Sequence, residues 1–276
     1  MSNIKHIILT RFNVASPGRE EKIRLRSGWL DRRFQLFEDY CLPSVAYQTV
    51  SDFEWIIFFD AKTPSPYRKR IELLRERFPF SPEYTEIFEM RNVAPLIASR
   101  RNSEDWLLTT RLDSDDVLGM DFVHRVRHGL KMQERQVVNF LNGAILSLTD
   151  VPKLYLIQDR SNPFASLLER FNAEARTIWS ERHVDLERMG RIEQIDAPPA
   201  WMQIVHGENV SNRVKGRRTF LRNYYDIFPL LKDISTDRVE TKGQVALENS
   251  LVTPIRSACE VGRSGLKLVR DAVLRR

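Results

Sequence analysis

The chain has 276 residues, 42% of them hydrophobic and 29% charged, which suits one large soluble α/β domain or a domain with a small appendage. Its 43 Lys and Arg against 37 Asp and Glu leave a net charge of +6; with no helix-turn-helix, zinc-finger or aromatic RNA-binding signature, nucleic acid is not the expected partner, and anionic nucleotides or an anionic membrane explain the excess. Two distant cysteines, Cys41 and Cys259, exclude a disulfide framework, and without a signal peptide or the roughly 18 apolar residues of a membrane span a cytoplasmic protein is expected.

Along the chain, Ile7-Ile8-Leu9 reads as a buried strand, followed by a polar loop from Asn13 to Glu21. Leu30, Phe34, Phe37, Cys41 and Val45 recur at spacings of three and four, the apolar stripe of a helix whose last turn Pro43 disturbs. Phe53 to Phe59 is a second buried strand ending at Asp60. Ser65-Pro66 opens a helix with Tyr67, Ile71, Leu74 and Phe78 on one face. Tyr84 to Phe88 reads as a weaker strand, Trp106 to Leu112 as a strong one, and Met120, Val123, Val126 and Leu130 mark a further helix. Asn142-Gly143, between Val137–Leu141 and Ala144–Leu148, is a strong hairpin signal. Helices are then expected near Ser166 to Ala173 and Val184 to Met189, and strands near Arg191 to Ile195 and Trp201 to Val205. From residue 250 to 276, Ile255, Cys259, Leu266, Val269 and Val273 alternate with Arg256, Arg263, Lys267, Arg270, Arg275 and Arg276, the pattern of a basic amphipathic helix.

The strand from Trp106 ends in Asp113, Asp115 and Asp116, three carboxylates within four residues. Like charges this close repel unless something positive lies among them, so the cluster suits a hard cation. The crevice beyond the carboxyl ends of the strands is where open α/β sheets bind ligands. The alternative is a solvated acidic turn that caps the next helix.

The blocks His6-Ile7-Ile8-Leu9-Thr10-Arg11-Phe12, Phe53 to Asp60, Thr110-Arg111-Leu112-Asp113-Ser114-Asp115-Asp116, Asn162-Pro163-Phe164 and Trp201 to Gly207 together resemble a GT-A glycosyltransferase, and among these the bacterial rhamnosyltransferase-like family. The resemblance spans about residues 4 to 215. It implies an α/β GT-A (nucleotide-diphospho-sugar transferase) fold, a mixed central sheet flanked by helices. Residues 1–249 would form the catalytic domain, with a nucleotide-sugar half (1–116) and an acceptor half (117–249), and 250–276 a helical basic extension.

The resemblance also implies roles. Asp115 would hold Mn²⁺ or Mg²⁺ most directly, with Asp113 on the ribose or the metal and Asp116 on the metal or the donor sugar. A late histidine returning to the metal would be His206, which is otherwise structural. Asp60 would bind base or ribose, or else cap a turn. Thr10, Arg11 and Phe12 would line the nucleotide pocket, with Phe12 stacked on the base. Arg100, Arg101 and Arg111 are candidates for the diphosphate; Arg111 equally suits an ion pair with the Asp cluster, and Arg100 and Arg101 a solvated helix end. A base for inverting transfer would be Glu169, placed by this reading in a helix on the acceptor side, then His183 or Asp185. The partners implied are a nucleoside-diphosphate sugar and a glycan or glycolipid acceptor in surface polysaccharide or glycolipid synthesis. The tail would contact the anionic inner face of the membrane or pack on the domain.

Three rivals share parts of this pattern. A sugar nucleotidyltransferase needs a Gly-rich loop after its first strand, where Asn13 to Glu21 holds only Gly18. A phosphatase with Asp-x-Asp carries it on the first strand, not the fourth. A non-catalytic GT-A-like scaffold would have no need of intact Asp113, Asp115, Asp116 and His206.

Overall fold

The computed structural model of the chain describes residues 3–15, 23–24, 26–132, 134–148, 151–207, 209, 213–234 and 241–256. Strands β1 (Ile4–Arg11), β2 (Glu54–Asp60), β3 (Ser81–Thr85) and β4 (Trp106–Arg111) pair in parallel in the order β4-β1-β2-β3. The apolar runs of β1, β2 and β4 are nearly continuous because both faces are covered. Ile8, Ile57, Phe59 and Leu108 face Phe34, Phe37 and Ile71. Ile7, Leu9, Ile56, Phe58 and Leu107 face Val93 and Ile97 on the other side.

The first layer is built by α1 (Trp29–Leu36), which runs through a π segment (Phe37–Cys41) into α2 (Leu42–Ala46), and by α3 (Ser65–Arg77). The wider π turn lies just before Pro43, where a proline ring would otherwise press on the preceding turn. The second layer is α4 (Met90–Ala98), a helix anticipated from sequence only in the alternative reading of Arg100 and Arg101 as a solvated helix end.

The larger sheet continues as β10-β6-β9-β4. Here β9 (Ser166–Arg170) runs antiparallel to both β4 and β6 (Arg135–Phe140), and β10 (Arg191–Ile195) parallel to β6. A second sheet has the order β12-β8-β7-β11-β5, from β5 (Val117–Leu118), β7 (Asn142–Ser147), β8 (Lys153–Gln158), β11 (Trp201–Val205) and β12 (Arg217–Thr219). Between β5 and β6 lies α5 (Phe122–His128). The expected α/β plan of a mixed central sheet flanked by helices is therefore present.

Several elements differ from expectation. Asn142-Gly143 is not a hairpin turn: β6 and β7 follow one another but belong to different sheets. Glycine is needed at 143 because a Cβ there would stand 2.2 Å from the Trp201 indole. Ser166 to Arg170 is strand rather than helix, since Leu167 and Leu168 each find an apolar cluster on opposite faces. The strand expected at Tyr84 to Phe88 runs instead from Ser81 to Thr85. Near Val184 to Met189 only a 3₁₀ turn forms, Leu186–Met189.

Helix α6 (Lys242–Leu247) opens with a Thr241–Gln244 capping box and continues helically to residue 256, across the boundary expected at 249. The tail positions Cys259, Arg263, Leu266, Lys267, Val269, Arg270, Val273, Arg275 and Arg276 lie outside the described residues. No described helix is long and apolar enough to cross a membrane.

Candidate active site

Strand β4 belongs to the larger sheet and β5 to the smaller, so the acidic turn between them crosses from one sheet to the other. Leu112 anchors its start, buried and donating from its amide to the Leu9 carbonyl at 3.1 Å. The Asp116 amide closes the turn on the Asp113 carbonyl at 3.1 Å. Asp116 is itself buried, and its Oδ1 accepts the Ile204 amide at 3.0 Å, tying the turn to β11. Beyond β11 the Asn209 side chain accepts the His206 amide at 2.6 Å and donates to the Ile204 carbonyl at 3.0 Å. These bonds bring His206 Nε2 to 3.3 Å from Asp115 Oδ2. From α1, Arg33 Nη1 reaches the same oxygen at 2.9 Å. Asp113 pairs with Arg111 Nη2 at 3.2 Å.

Electrostatics divide the neighbouring carboxylates. Burial, then the negative charges of Asp115 and Asp113, push Asp116 well above the usual carboxylate range. Burial acts on Asp115 in the same direction, but Arg33 and His206 outweigh it and hold that group low. Asp115 is thus the anionic member of the adjacent pair. Beneath the turn, the Cys41 thiol lies 3.7 Å from the Asp113 carbonyl, and burial followed by the nearby carboxylates raises its pKa, so it stays a neutral support.

Asp113, Asp115 and His206 open on a cleft of about 570 Å³ at the ends of β1, β4 and β11. Its walls carry Arg11, Arg24, Arg32, Arg33, Arg111, Arg213 and Lys215, against Asp113, Asp115 and Asp159. Seven cationic side chains against three carboxylates favour a polyanion such as a diphosphate.

The other expected residues fall into two groups. Arg11, Arg111 and His183 line the cleft. The His183 ring turns Nδ1 to the Ser161 carbonyl, which puts the proton on Nδ1 and leaves Nε2 as the proton acceptor. The remainder are engaged elsewhere. Thr10 is buried and its hydroxyl accepts the Trp55 indole N–H at 2.9 Å. Phe12 borders the cleft, but its ring is 2% exposed and packed among Phe34, Phe37 and Phe59 at 4.7–5.2 Å, which leaves no face for a base. Asp60 is buried, accepts the Lys62 amide at 2.7 Å and pairs with Arg24. It meets the cleft indirectly, its carboxylate through that arginine and its amide through the Asn13 side chain, which accepts it at 2.9 Å.

Arg100 and Arg101 lie at the wrong end of the sheet. The helix that leads into a parallel strand finishes near that strand's start, so α4 delivers Arg100 to Glu54 and Glu83 and Arg101 to the Glu104 carbonyl. Glu169 is on β9, 2% exposed, and its Oε1 accepts the Arg176 and Thr177 amides at 3.0 and 2.8 Å. Burial raises its pKa, but it does not line the cleft. Asp185 pairs locally with Arg182 at 2.6 Å.

The donor chemistry suits a divalent cation. Asp115 Oδ2 and His206 Nε2 stand 3.3 Å apart on the cleft wall, with Arg33 Nη1 on the same oxygen, so a cation there would take one carboxylate oxygen and one imidazole nitrogen in place of these contacts. Among the described residues no three His, Cys, Asp or Glu side chains converge into a closed cage. A site with few protein ligands is the form in which a cation takes its remaining oxygens from substrate phosphates.

Sequence reading missed Arg33, Arg32 and Trp29, which α1 brings to the cleft. One signal was present: Arg32 falls in the first turn of a helix, where the macrodipole disfavours cations unless an anion is close. It also missed Trp179, over which Arg111 rests at 3.9 Å.

A two-sheet α/β protein with a cationic, carboxylate-bearing cleft at its strand ends has the chemistry that suits a phosphorylated ligand. The chain belongs to the family described as "Putative rhamnosyl transferase", whose model matches residues 5–218, and so to a family of glycosyltransferases. Curated proteins gave no match. Among solved structures, S. aureus TarS 1–349 is similar at 12% identity over 72% of this chain and 60% of that one, with a TM-score of 0.41. TarS 1–349 in complex with UDP-GlcNAc is similar at 14% identity over 86% and 68%, with a TM-score of 0.43. The inositol-1-phosphate CTP transferase of T. maritima is similar at 11% identity over 87% and 99%, with a TM-score of 0.39. The chain spans 60% of the first TarS structure and 37% of a longer one.

Proposed function

We propose that the protein transfers a hexosyl or deoxyhexosyl group, rhamnosyl among them, from a nucleoside-diphosphate sugar to a hydroxyl of a surface polysaccharide or glycolipid acceptor on the cytoplasmic side. The observation that carries this reading is the meeting of Asp115 with His206, 91 residues apart, on the wall of a cationic cleft.

Asp115 and His206 would hold Mn²⁺ or Mg²⁺, which when bound neutralises charge on the leaving diphosphate. Arg33 and Arg111 bring guanidinium donors to the same wall, where negative charge grows as the bond from the anomeric carbon to phosphate oxygen breaks. Asp116 keeps the acidic turn and β11 in register and so acts behind the site. Of the three candidate bases, His183 is the one on the cleft. Its Nδ1–H is committed to Ser161, so Nε2 can take the proton of the acceptor hydroxyl as that oxygen attacks, which fits an inverting transfer.

The test is turnover of a panel of sugar nucleotides by the purified chain, with and without a chelator. The reading expects release of one nucleoside diphosphate that stops on chelation and returns with Mn²⁺ or Mg²⁺. Turnover of none of the panel, by a folded sample that also binds none, favours a non-catalytic scaffold.

A further inference from the structure

We propose that Trp179 is a positioning residue for the donor diphosphate, its indole presetting the guanidiniums of Arg111 and Arg11 on the cleft wall; this rests on the reading of the cleft as a sugar-nucleotide site.

The indole is fixed on several sides. Its Nε1 donates to the Leu9 carbonyl in β1 at 3.2 Å. Phe88 meets it edge-on, with ring centroids 5.0 Å apart. Arg111 Cζ stands 3.9 Å from the ring centroid and Arg11 Cζ 5.8 Å. A guanidinium resting on an aromatic face keeps its in-plane donors for oxygen ligands. Arg111 already turns one of them to Asp113, beside Asp115.

The loop carrying Trp179 is built to hold that pose. Glu169, a buried carboxylate on β9, accepts the amides of Arg176 and Thr177 at 3.0 and 2.8 Å. From β4, the Thr109 hydroxyl accepts the Ile178 amide at 2.8 Å. Three consecutive N–H groups are thereby pinned to the central sheet. Thr177 has φ 74°, a backbone region that favours glycine, and its hydroxyl accepts the Trp179 amide at 3.4 Å. Strain of this kind persists only where the surroundings over-determine it, and it concentrates around ligand sites. Here a buried charge and a strained residue serve to seat one half-buried indole beneath two cleft arginines.

A preset guanidinium has lost its rotamer freedom before the anion arrives, which favours binding. Cation–π contacts of this type are worth about two- to thirtyfold in an equilibrium constant. The experiment is calorimetric titration of the full chain with UDP and a panel of other nucleoside diphosphates in Mn²⁺, with donor KM and kcat measured in parallel. Trp179→Leu is expected to weaken binding about tenfold and to raise donor KM more than it lowers kcat. Trp179→Phe, which keeps a π face, should recover most of the loss. In an Arg111→Lys background, Trp179→Leu should add little, because its effect passes through the guanidinium.

Unchanged binding in Trp179→Leu, or full additivity with Arg111→Lys, would overturn the proposal while leaving the sugar-nucleotide reading intact. Failure of the wild type to bind any nucleoside diphosphate would overturn that reading instead. If Trp179→Leu does not fold, tryptophan fluorescence decides. The emission of Trp179, isolated as the difference between wild type and Trp179→Phe, should change on nucleotide binding, because the guanidinium over its face engages the diphosphate; no change in that difference would contradict the proposal.

Discussion

Two buried carboxylates, Asp115 and Glu248, are both wrapped in positive charge, and they differ in what surrounds the rest of the group. Glu248 lies in the π segment that follows α6. It takes Arg218 Nη1 at 2.6 Å, the Tyr155 hydroxyl at 2.5 Å, Arg256 at 3.3 Å and Lys153 at 3.4 Å. Burial would raise its pKa, but the bonds from Tyr155 and Arg218 and the charge of Lys153 bring it to about 2. None of these groups borders the cleft, and together they tie the last described helix to β8 and β12. Asp115 has Arg33 on one side and His206 on another, with a cleft of about 570 Å³ before it. A buried charge closed over by its partners fixes an element in place; one left open on a cavity is arranged for a ligand.

Substitutions should separate the two roles. Asp115→Asn keeps the shape of the side chain and removes its charge. It is expected to lower kcat/KM about 1,000-fold while the melting curve stays near that of the wild type, and a variant with full activity would refute the site. Glu248→Ala should do the reverse. Removing the buried carboxylate that Arg218, Lys153 and the Tyr155 hydroxyl share costs about 3–5 kcal/mol in urea unfolding, with kcat/KM unchanged wherever the protein is folded; a loss below about 1 kcal/mol would show the cluster to be dispensable. His183→Ala is expected to reduce kcat about 100-fold with little effect on donor KM, and an equal loss in Asp185→Ala would show that the base was wrongly chosen.

The smallest effect concerns pH. His6 is buried with Nε2 2.8 Å from the Thr110 hydroxyl, and burial, followed by the charge of Arg127, lowers its pKa to about 3. Its unfolded value is near 6.5, so between these limits the unfolded chain binds the extra proton. The stabilisation is complete above pH 6.5 and is lost as pH falls toward 3, at about 1.4 kcal/mol per pH unit. Glu248 adds to the loss only below about 4.5, its ordinary value. Through His6 alone, urea stability should drop by about 2 kcal/mol from pH 6.5 to 5; Asp116 and Glu169, whose pKa values burial raises, act in the opposite direction, so the His6 share is the difference in slope between wild type and His6→Gln. A slope unchanged in His6→Gln would assign it to another group.

What the sequence made legible follows the same division between local and distant causes. The runs of β1, β2 and β4 and the acidic cluster at the end of β4 were readable because burial on both faces leaves an uninterrupted apolar signal. His206 was readable from its place after β11. Gly143 misled, because its cause is the Trp201 ring, 58 residues away in sequence, rather than a local turn. Glu169 misled because two adjacent leucines suit a helix face as well as a strand buried on both sides, and only its neighbours β4 and β6 decide. Arg33 reaches the cleft through helix packing, and Trp179 reaches Arg111 through a pinned loop, contacts that no local pattern encodes. Arg100 and Arg101 were assigned by residue type alone, whereas the direction of α4 into β4 puts them at the opposite end of the sheet.

The most direct test of the cleft's role is a thermal-shift series of wild type and Asp115→Asn against nucleoside diphosphates, with and without Mn²⁺. At a hundredfold excess over the dissociation constant, binding adds about 2.7 kcal/mol to stability. The account predicts a rise in melting temperature with one nucleotide that requires Mn²⁺ in the wild type and vanishes in Asp115→Asn. An equal rise in both proteins, or none with any nucleotide in a folded wild type, would contradict it.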